Sequence, residues 1–304
     1  MALVATACGG ADKPAAKPSP TASTSGATVA DDEYIRNTKD IVDAANWDAA
    51  EHVKIKAVEW AFQPDKPTFV AGKPYVVEVE NSGEKKHEIV SKDFFRSSAV
   101  RKFEDANGEI KLRLVTEFEV FAGKKVELFI IPVMPGSFAF FCEIEGHREK
   151  GQEGTITVTG SPPTSPAPEI GKLADSGWVQ NPSAVVDAAN WDASVTLRVE
   201  MKEWSFTPKD LKLKAGTPYV IQLVNKGTKK HEVVADDLMP TAAFRKAEDA
   251  TGEYKGVSFN EVEVFPGQQV DLYLIPTKVL ASSPFFCEIE GHREKGQEGT
   301  ITVA

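Results

Sequence analysis

The chain has 304 residues, of which 41% are hydrophobic and 26% are charged, and its formal net charge at pH 7 is -10. This length suits two domains of ordinary size, and the composition is that of a globular protein. The acidic balance and the lack of a Lys/Arg block argue against nucleic acid as a partner. No run of about 18 apolar residues occurs, so no membrane-spanning helix is predicted.

The N-terminal 37 residues predict a lipid-anchored tether. Cys8 follows small residues and precedes two glycines, an order that resembles a bacterial lipoprotein cleavage site, where the cysteine becomes the lipidated N-terminus. Residues 11–30 are mostly Ala, Pro, Ser, Thr and Lys, a composition typical of disordered segments. We therefore expect residues 1–37 to tether a periplasmic or otherwise extracytoplasmic protein to a bacterial membrane. The alternative is an incidental cysteine in a disordered tail.

The rest of the chain consists of two halves that align nearly end to end. VDAANWDA at 42–49 recurs at 186–193, and KKHE at 85–88 recurs at 229–232. A repeat of about 120 residues is a whole domain and not a solenoid unit. We therefore predict three parts after the tether, namely domain 1 at 38–159, a Pro/Ser-rich linker at 160–183 and domain 2 at 184–304.

Short apolar and alternating runs predict β-strands in both halves. Alternation of apolar and polar residues is clear in YVVEVEN at 75–81, and the mostly apolar run at 126–131 ends at Pro132. Gly, Pro and Asn separate these runs, which is the pattern of a β-sandwich. The predicted fold class is therefore all-β, with two tandem Greek-key sandwiches.

One short helix per domain is also predicted. Its evidence is a stripe of apolar residues spaced by four, which is most simply one face of a helix packed on the sandwich. The stripe occurs once in each half, as Phe95, Ala99 and Phe103 and as Met239, Ala243 and Ala247.

A run of 19 residues, FFCEIEGHREKGQEGTITV, occurs at 140–158 and again at 285–303 without a difference. Each copy contains one cysteine, one histidine five residues later, and one glutamine five residues after that. Cys142 and Cys287 cannot form a disulfide within their own domains, because each domain has a single thiol. A buried structural cysteine is the simplest alternative to a functional one.

Four of the five histidines are duplicated, as His87 with His231 and His147 with His292, whereas His52 has no counterpart and is interpreted as an exposed strand residue. One cysteine and two histidines at matching positions in both halves predict a metal site in each domain. A thiolate with two imidazoles and a weak fourth donor is the ligand set of blue copper, whereas structural zinc favours four firm ligands.

Here each half resembles a cupredoxin, the family of plastocyanin, azurin, auracyanin and stellacyanin. The resemblance rests on NSGEKKHEIV and NKGTKKHEVV around the first histidine and on the duplicated 19-residue run, and it covers nearly all of both repeats. It implies two type 1 copper ions per chain. One would be bound by His87, Cys142, His147 and Gln152, and the other by His231, Cys287, His292 and Gln297.

The glutamines depart from the pattern of most of the family. Methionine is usual where Gln152 and Gln297 stand, whereas stellacyanin-like proteins have glutamine there. A carbonyl oxygen is a harder donor than a thioether and favours Cu(II), so the resemblance implies a low reduction potential. The alternative is that these glutamines only line the pocket.

Four glutamates are a second departure. Asn is usual in the family where Glu88 and Glu232 stand, and a hydroxyl residue is common where Glu143 and Glu288 stand. Carboxylates beside the ligands could orient them and tune the metal, with Lys86, Arg148 and Lys150 and their counterparts Lys230, Arg293 and Lys295 as candidate counter-ions. The favoured interpretation is that these glutamates point to solvent.

The function implied by the resemblance is one-electron transfer between redox partners, such as a cytochrome or a copper oxidoreductase. A copper carrier or buffer is the alternative, although the four methionines do not cluster. We expect no enzyme activity, because copper nitrite reductases and small laccases need additional histidines and only His52 is left over. Residues outside the identical loops, such as 134–137 against 278–284, predict that the two sites are unequal.

Overall fold

The computed structural model describes residues 29–304. Cys8, the predicted lipidation site, lies outside the described residues, as does most of the predicted tether. The described part is almost entirely β-structure, so the predicted all-β class is confirmed. Between residues 29 and 304, no helix is both long and apolar enough to cross a membrane.

Domain 1 is a two-layered sandwich that follows a short strand, β1 (Glu33–Ile35). Its strands are β2 (Glu51–Val58), β3 (Ala61–Gln63), β4 (Thr68–Val70), β5 (Tyr75–Asn81), β6 (His87–Val90), β7 (Ser98–Glu104), β8 (Gly108–Leu112), β9 (Val115–Val120), β10 (Lys125–Pro132), β11 (Gly136–Phe141) and β12 (Glu153–Thr159). One layer has the order β8-β7-β10-β5-β2-β3, and the other has the order β9-β6-β11-β12-β4.

Domain 2 repeats this arrangement after a further short strand, β13 (Ile170–Lys172). Its strands are β14 (Val195–Lys202), β15 (Ser205–Thr207), β16 (Asp210–Leu213), β17 (Tyr219–Asn225), β18 (His231–Val234), β19 (Ala242–Glu248), β20 (Gly252–Gly256), β21 (Phe259–Val264), β22 (Gln269–Pro276), β23 (Leu280–Phe286) and β24 (Glu298–Val303). One layer has the order β20-β19-β22-β17-β14-β15, and the other has the order β21-β18-β23-β24-β16.

The described chain has three short α-helices, α1 (Thr38–Ala44), α2 (Lys92–Arg96) and α3 (Pro182–Asp187). The helix predicted from the apolar stripe is wrong for most of its length, because residues 98–104 and 242–248 are strands β7 and β19. A spacing of four residues also fits a strand, in which side chains alternate with a period of two. The stripe therefore identified buried positions correctly but did not discriminate helix from strand.

The segment before domain 1 and the linker pack against each other. Strand β1, which the sequence places in the tether, pairs antiparallel with β13 of the linker. The rings of Tyr34 and Trp178 lie 4.9 Å apart between their centroids. Trp178 has no counterpart in the other repeat, and this contact gives it a partner on the N-terminal side of domain 1.

The two domains share both of their sheets. Strand β8 of domain 1 pairs antiparallel with β21 of domain 2, and β9 of domain 1 pairs antiparallel with β20 of domain 2. Each junction produces an 11-stranded sheet that contains strands of both domains. Because β8 and β20 are equivalent in the repeat, as are β9 and β21, the junctions are reciprocal. This is the geometry of a two-fold dimer interface within one chain.

Side chains reinforce both junctions. Asn107 and Thr251 are equivalent positions, and the Asn107 amide donates a hydrogen bond of 2.9 Å to the Thr251 hydroxyl. The hydroxyl of Tyr254 donates to Asp105, and its ring packs 5.2 Å from that of Phe103. Most of the buried apolar residues of both domains consequently form one continuous core, and a smaller cluster lies around Ile35 and Ile131.

A glycine marks the close approach of the strands at each junction. A Cβ atom at Gly108 would lie 1.9 Å from the carbonyl oxygen of Glu263, and a Cβ atom at Gly252 would lie 1.9 Å from that of Glu119. Since both obstacles are backbone atoms of a paired strand, a side chain fits only if the strands separate.

We expect Gly108→Ala and Gly252→Ala each to lower the free energy of unfolding by about 1–3 kcal/mol, the usual range for overpacking a close contact. Urea unfolding followed by tryptophan fluorescence measures the change. Val279→Ala, at a residue that is 70% exposed, is the control, and it should change the free energy of unfolding by less than about 0.5 kcal/mol. Unaltered stability in both glycine variants would contradict the strand pairing between the domains.

Candidate metal centres

Two neighbouring strands bring the first histidine and the cysteine of each domain together. His87 is the first residue of β6, and Cys142 directly follows β11, which pairs with β6 through Phe141 and Val90. In domain 2, β18 and β23 pair in the same way and bring His231 next to Cys287. Residues that are far apart in sequence therefore meet at one end of each sandwich.

The identical loops supply the second histidine and the glutamine. In domain 1 the backbone N–H of Gln152 donates to the carbonyl of His147, and the N–H of Cys142 donates to the carbonyl of Gln152. Gly151, which lies between His147 and Gln152, has a φ of 105°, a left-handed conformation that favours glycine. These backbone bonds explain the spacing in the loop, because one tight turn directs Cys142, His147 and Gln152 toward the same point.

Donor atoms of each histidine–cysteine–histidine set lie within 4.8 Å of one another. Cys142 Sγ is 3.3 Å from His147 Nδ1, and the corresponding distance from Cys287 to His292 is also 3.3 Å. All eight predicted ligands are buried. The structure thus brings together every residue that the sequence analysis assigned to the two metal sites.

Unsatisfied polar atoms in domain 2 fit a metal ion. Gln297 is fully buried, yet neither its amide oxygen nor its amide nitrogen has a hydrogen-bond partner, and both ring nitrogens of His231 also lack one. Buried polar groups are normally paired, so these atoms are suited to binding an ion. In domain 1 the Gln152 amide lies 2.9–3.0 Å from His87 Nδ1. A thiolate, two imidazoles and an amide oxygen are donors that suit copper.

A carboxylate lies behind the first histidine of each site and was missed by the sequence analysis. Glu59 Oε1 is 3.8 Å from His87 Nε2, and Glu203 Oε1 is 3.9 Å from His231 Nε2. Hydrogen bonds from backbone N–H groups lower the pKa of both carboxyls, that of Glu203 to about 2, so both are ionised at neutral pH. The signal for them was the duplicated pair Glu-Trp at 59–60 and 203–204.

A tryptophan covers the second histidine of each site. The ring of Trp60 meets that of His147 edge-on with centroids 4.9 Å apart, and Trp204 meets His292 at 4.6 Å. Trp60 has a φ of 69°, which a bulky residue rarely adopts. The ammonium of Lys150 lies 3.7 Å from the centroid of the Trp60 ring.

The interpretation that the four glutamates point to solvent is half right. Glu143 and Glu288 are exposed, but Glu88 and Glu232 are buried. None of the suggested cations reaches Glu88, whose partner is Lys255 of domain 2 at 3.2 Å. This partner could not be predicted from one repeat, because the contact exists only through the junction between the domains.

Burial controls the protonation of the ligand groups. It lowers the pKa of all four duplicated histidines, so their imidazoles are neutral at pH 7, the form that binds metals. Burial also raises the pKa of the Cys142 thiol, and it raises that of Cys287 to about 11. Without a metal both cysteines are therefore protonated at neutral pH. The unpaired His52 lies exposed on β2, as expected.

The chain belongs to the cupredoxin-like domain family, which matches residues 41–158 and 178–303. Similar solved structures include a multicopper oxidase from Campylobacter jejuni, at 10% identity and a TM-score of 0.34, and a Cu-containing nitrite reductase from Thermus scotoductus SA-01, at 13% identity and a TM-score of 0.33. Each similarity covers 84% of this chain, which spans only 64% and 62% of the respective proteins.

A further similar structure is dithionite-reduced auracyanin from Roseiflexus castenholzii, at 19% identity and a TM-score of 0.28. It covers 37% of this chain and 99% of the auracyanin chain. Among curated protein sequences, none matches this chain.

The prediction that the chain is not an enzyme is wrong. It rested on the shortage of histidines beyond the two sites, but the similar solved structures include multicopper oxidases and a copper nitrite reductase, which are enzymes. One fold hosts many activities, so a count of histidines does not set the class of activity.

We expect the stability of the metal-free protein to fall as the pH rises from about 9 to about 11. In the unfolded chain the Cys287 thiol loses its proton near its ordinary pKa of 9.0, whereas the folded protein retains it to about 11. The folded state therefore binds more protons in this window, and stability decreases with pH by about 3 kcal/mol for two pKa units.

Urea unfolding of the metal-free Cys8→Ser protein in steps of pH measures this effect. The additional variant Cys287→Ser lacks the titrating thiol and should show a shallower decline between pH 9 and 11. Parallel profiles for the two proteins would contradict a raised pKa at this cysteine.

Proposed function

We propose that the chain is a copper protein that transfers single electrons, with one type 1 copper ion in each domain. The observation that carries the proposal is the buried set of Cys142, two neutral imidazoles and an amide, repeated around Cys287. A copper ion held there would exchange one electron by alternating between Cu(II) and Cu(I). Gln152 and Gln297 are proposed as the weak fourth ligands.

The residues around each site favour a fixed geometry. The backbone N–H of Glu88 donates to Cys142 Sγ at 3.4 Å, and the N–H of Glu232 donates to Cys287 Sγ at 3.4 Å. The ligand loop is held by its own backbone bonds, and the ligands are shielded from water. Groups that are held in place before and after electron transfer keep the cost of rearrangement low.

The second histidine is proposed as the point of electron exchange. His147 and His292 lie in the loops at the end of each sandwich, next to the partly exposed rings of Trp60 and Trp204. Partners of this surface would be redox proteins, such as a cytochrome or a copper oxidoreductase. The proposal includes an extracytoplasmic location, with Cys8 as the lipid anchor.

Copper loading tests the core of the proposal. We expect two Cu(II) ions per chain, an intense visible thiolate-to-copper absorption band and the narrow hyperfine splitting of a type 1 site in electron paramagnetic resonance. Cys142→Ser and Cys287→Ser should each retain one ion and one such spectrum. Copper without a thiolate band in the parent protein would contradict the proposal. Copper transfer to an acceptor that outpaces electron exchange with a cytochrome would favour a carrier instead.

Replacing the axial donors should raise the reduction potential. We expect Gln152→Met with Gln297→Met to shift both potentials upward, because a thioether favours Cu(I) more than an amide oxygen does. Redox titration of the visible band measures the shift. Gln180→Met, at an exposed linker glutamine, is the matched control and should leave both potentials unchanged. If the double variant behaved like the control, glutamine would not be the axial ligand.

Removing the carboxylate charge behind the first histidine should also raise the reduction potential. Glu59→Gln takes a negative charge away from His87 and should raise the potential of the domain 1 site, because the carboxylate stabilises Cu(II) over Cu(I). Glu203→Gln should do the same in domain 2. Each potential is measured in the chain that keeps only that site. If either variant shifted only the reduction potential of the site in the other domain, the placement of its carboxylate behind the first histidine of its own domain would be contradicted.

A further inference from the structure

A cation from each domain reaches acidic residues of the other domain, and in domain 1 one of these residues lies beside the candidate ligands. Lys255 belongs to β20 of domain 2, yet its ammonium donates to Glu117 and, at 3.2 Å, to Glu88, both in domain 1. Lys255 and Glu117 face each other in the paired strands β20 and β9. The strand pairing between the domains therefore sets the position of this charge.

Glu88 connects this charge to the candidate metal site of domain 1. It follows the ligand His87 in sequence, and its own backbone N–H donates to the sulfur of Cys142. Its side chain is buried, so its interaction with the Lys255 ammonium is weakly screened. The positive charge of Lys255 thus lies next to Glu88, which adjoins the two ligands His87 and Cys142.

The equivalent contact in domain 2 is incomplete. Lys111 of domain 1 donates to Glu261, its partner across the β8–β21 junction. Within residues 29–304, however, no hydrogen bond or ion pair reaches the buried carboxyl group of Glu232, the counterpart of Glu88. Instead, Glu232 has carboxylate oxygens of Glu261 and Glu288 within 4.8 Å. The environments of the two sites therefore differ although their loops are identical.

We propose that Lys255 and Lys111 are positioning residues that tune the reduction potential of the copper site in the opposite domain. A fixed positive charge disfavours Cu(II) relative to Cu(I) and so raises the potential. Lys255 bonds to Glu117 and to Glu88, which adjoins the ligands, whereas Lys111 bonds only to Glu261. Lys255 therefore has the larger effect on the potential. This inference rests on the proposed function and gives a specific source for unequal sites.

The test measures each site alone. Lys255→Met is made in the Cys287→Ser chain, which keeps the domain 1 site, and in the Cys142→Ser chain, which keeps the domain 2 site. Redox titration should show a lower potential for the domain 1 site and no change for the domain 2 site, although Lys255 lies in domain 2. Lys111→Met should lower the potential of the domain 2 site by a smaller amount.

Two controls separate a charge effect from loosened packing. Lys255→Arg keeps the cation and should retain most of the potential of the domain 1 site. Lys246→Met removes a half-buried lysine of the same sheet, whose partners Glu248 and Glu253 belong to its own domain. It should leave both potentials unchanged, and urea unfolding shows whether the stability losses of Lys246→Met and Lys255→Met are comparable.

The outcomes distinguish tuning across the junction from copper binding itself. A shift confined to the domain 1 site supports tuning across the junction. An unchanged potential in Lys255→Met, or a shift equal to that of Lys246→Met, overturns it while leaving the proposed function intact. A missing thiolate-to-copper band in both single-site chains overturns the proposed function and this inference together.

Discussion

Reciprocal pairing of strand edges between the two domains is the interaction on which the rest of the structure depends. The edge strands are β8 and β9 in domain 1 and β20 and β21 in domain 2. Strand β8 pairs with β21, and β9 pairs with β20. Exposed edges invite aggregation, so pairing them within one chain removes that hazard for both sandwiches. The same pairing joins the apolar cores and carries a lysine of each domain to the acidic residues of the other.

The candidate metal centres combine a hydrogen-bonded backbone with buried side chains. Backbone hydrogen bonds within one tight loop direct three candidate ligands to a point, and a paired strand supplies the fourth from a distant part of the chain. Burial keeps the imidazoles neutral and the thiols protonated until a metal binds. Since the loops are identical and Glu59 and Glu203 are equivalent, any difference between the sites has to arise from other surrounding residues, such as the glutamates and lysines at the junction.

Particular residues show how far sequence reasoning reaches. The eight candidate ligands could be selected from the sequence, because residue type, spacing and duplication all pointed to the same residues. The stripe through Ala99 and Phe103 was misassigned, because a spacing of four fits both a helix and a strand. Glu88 was expected in solvent, and its partner Lys255 could not be inferred, because 167 residues separate them and only the strand pairing unites them.

By itself the sequence determined the two repeats, the all-β class and the candidate donor residues of each centre. These properties depend on local pattern and chemistry, which a duplicated chain displays twice. Only the tertiary structure decided which edges pair, which glutamates are buried and which lysine reaches them. The physical reason is that such contacts depend on backbone hydrogen bonds and burial between distant segments, which the local pattern of residues does not encode.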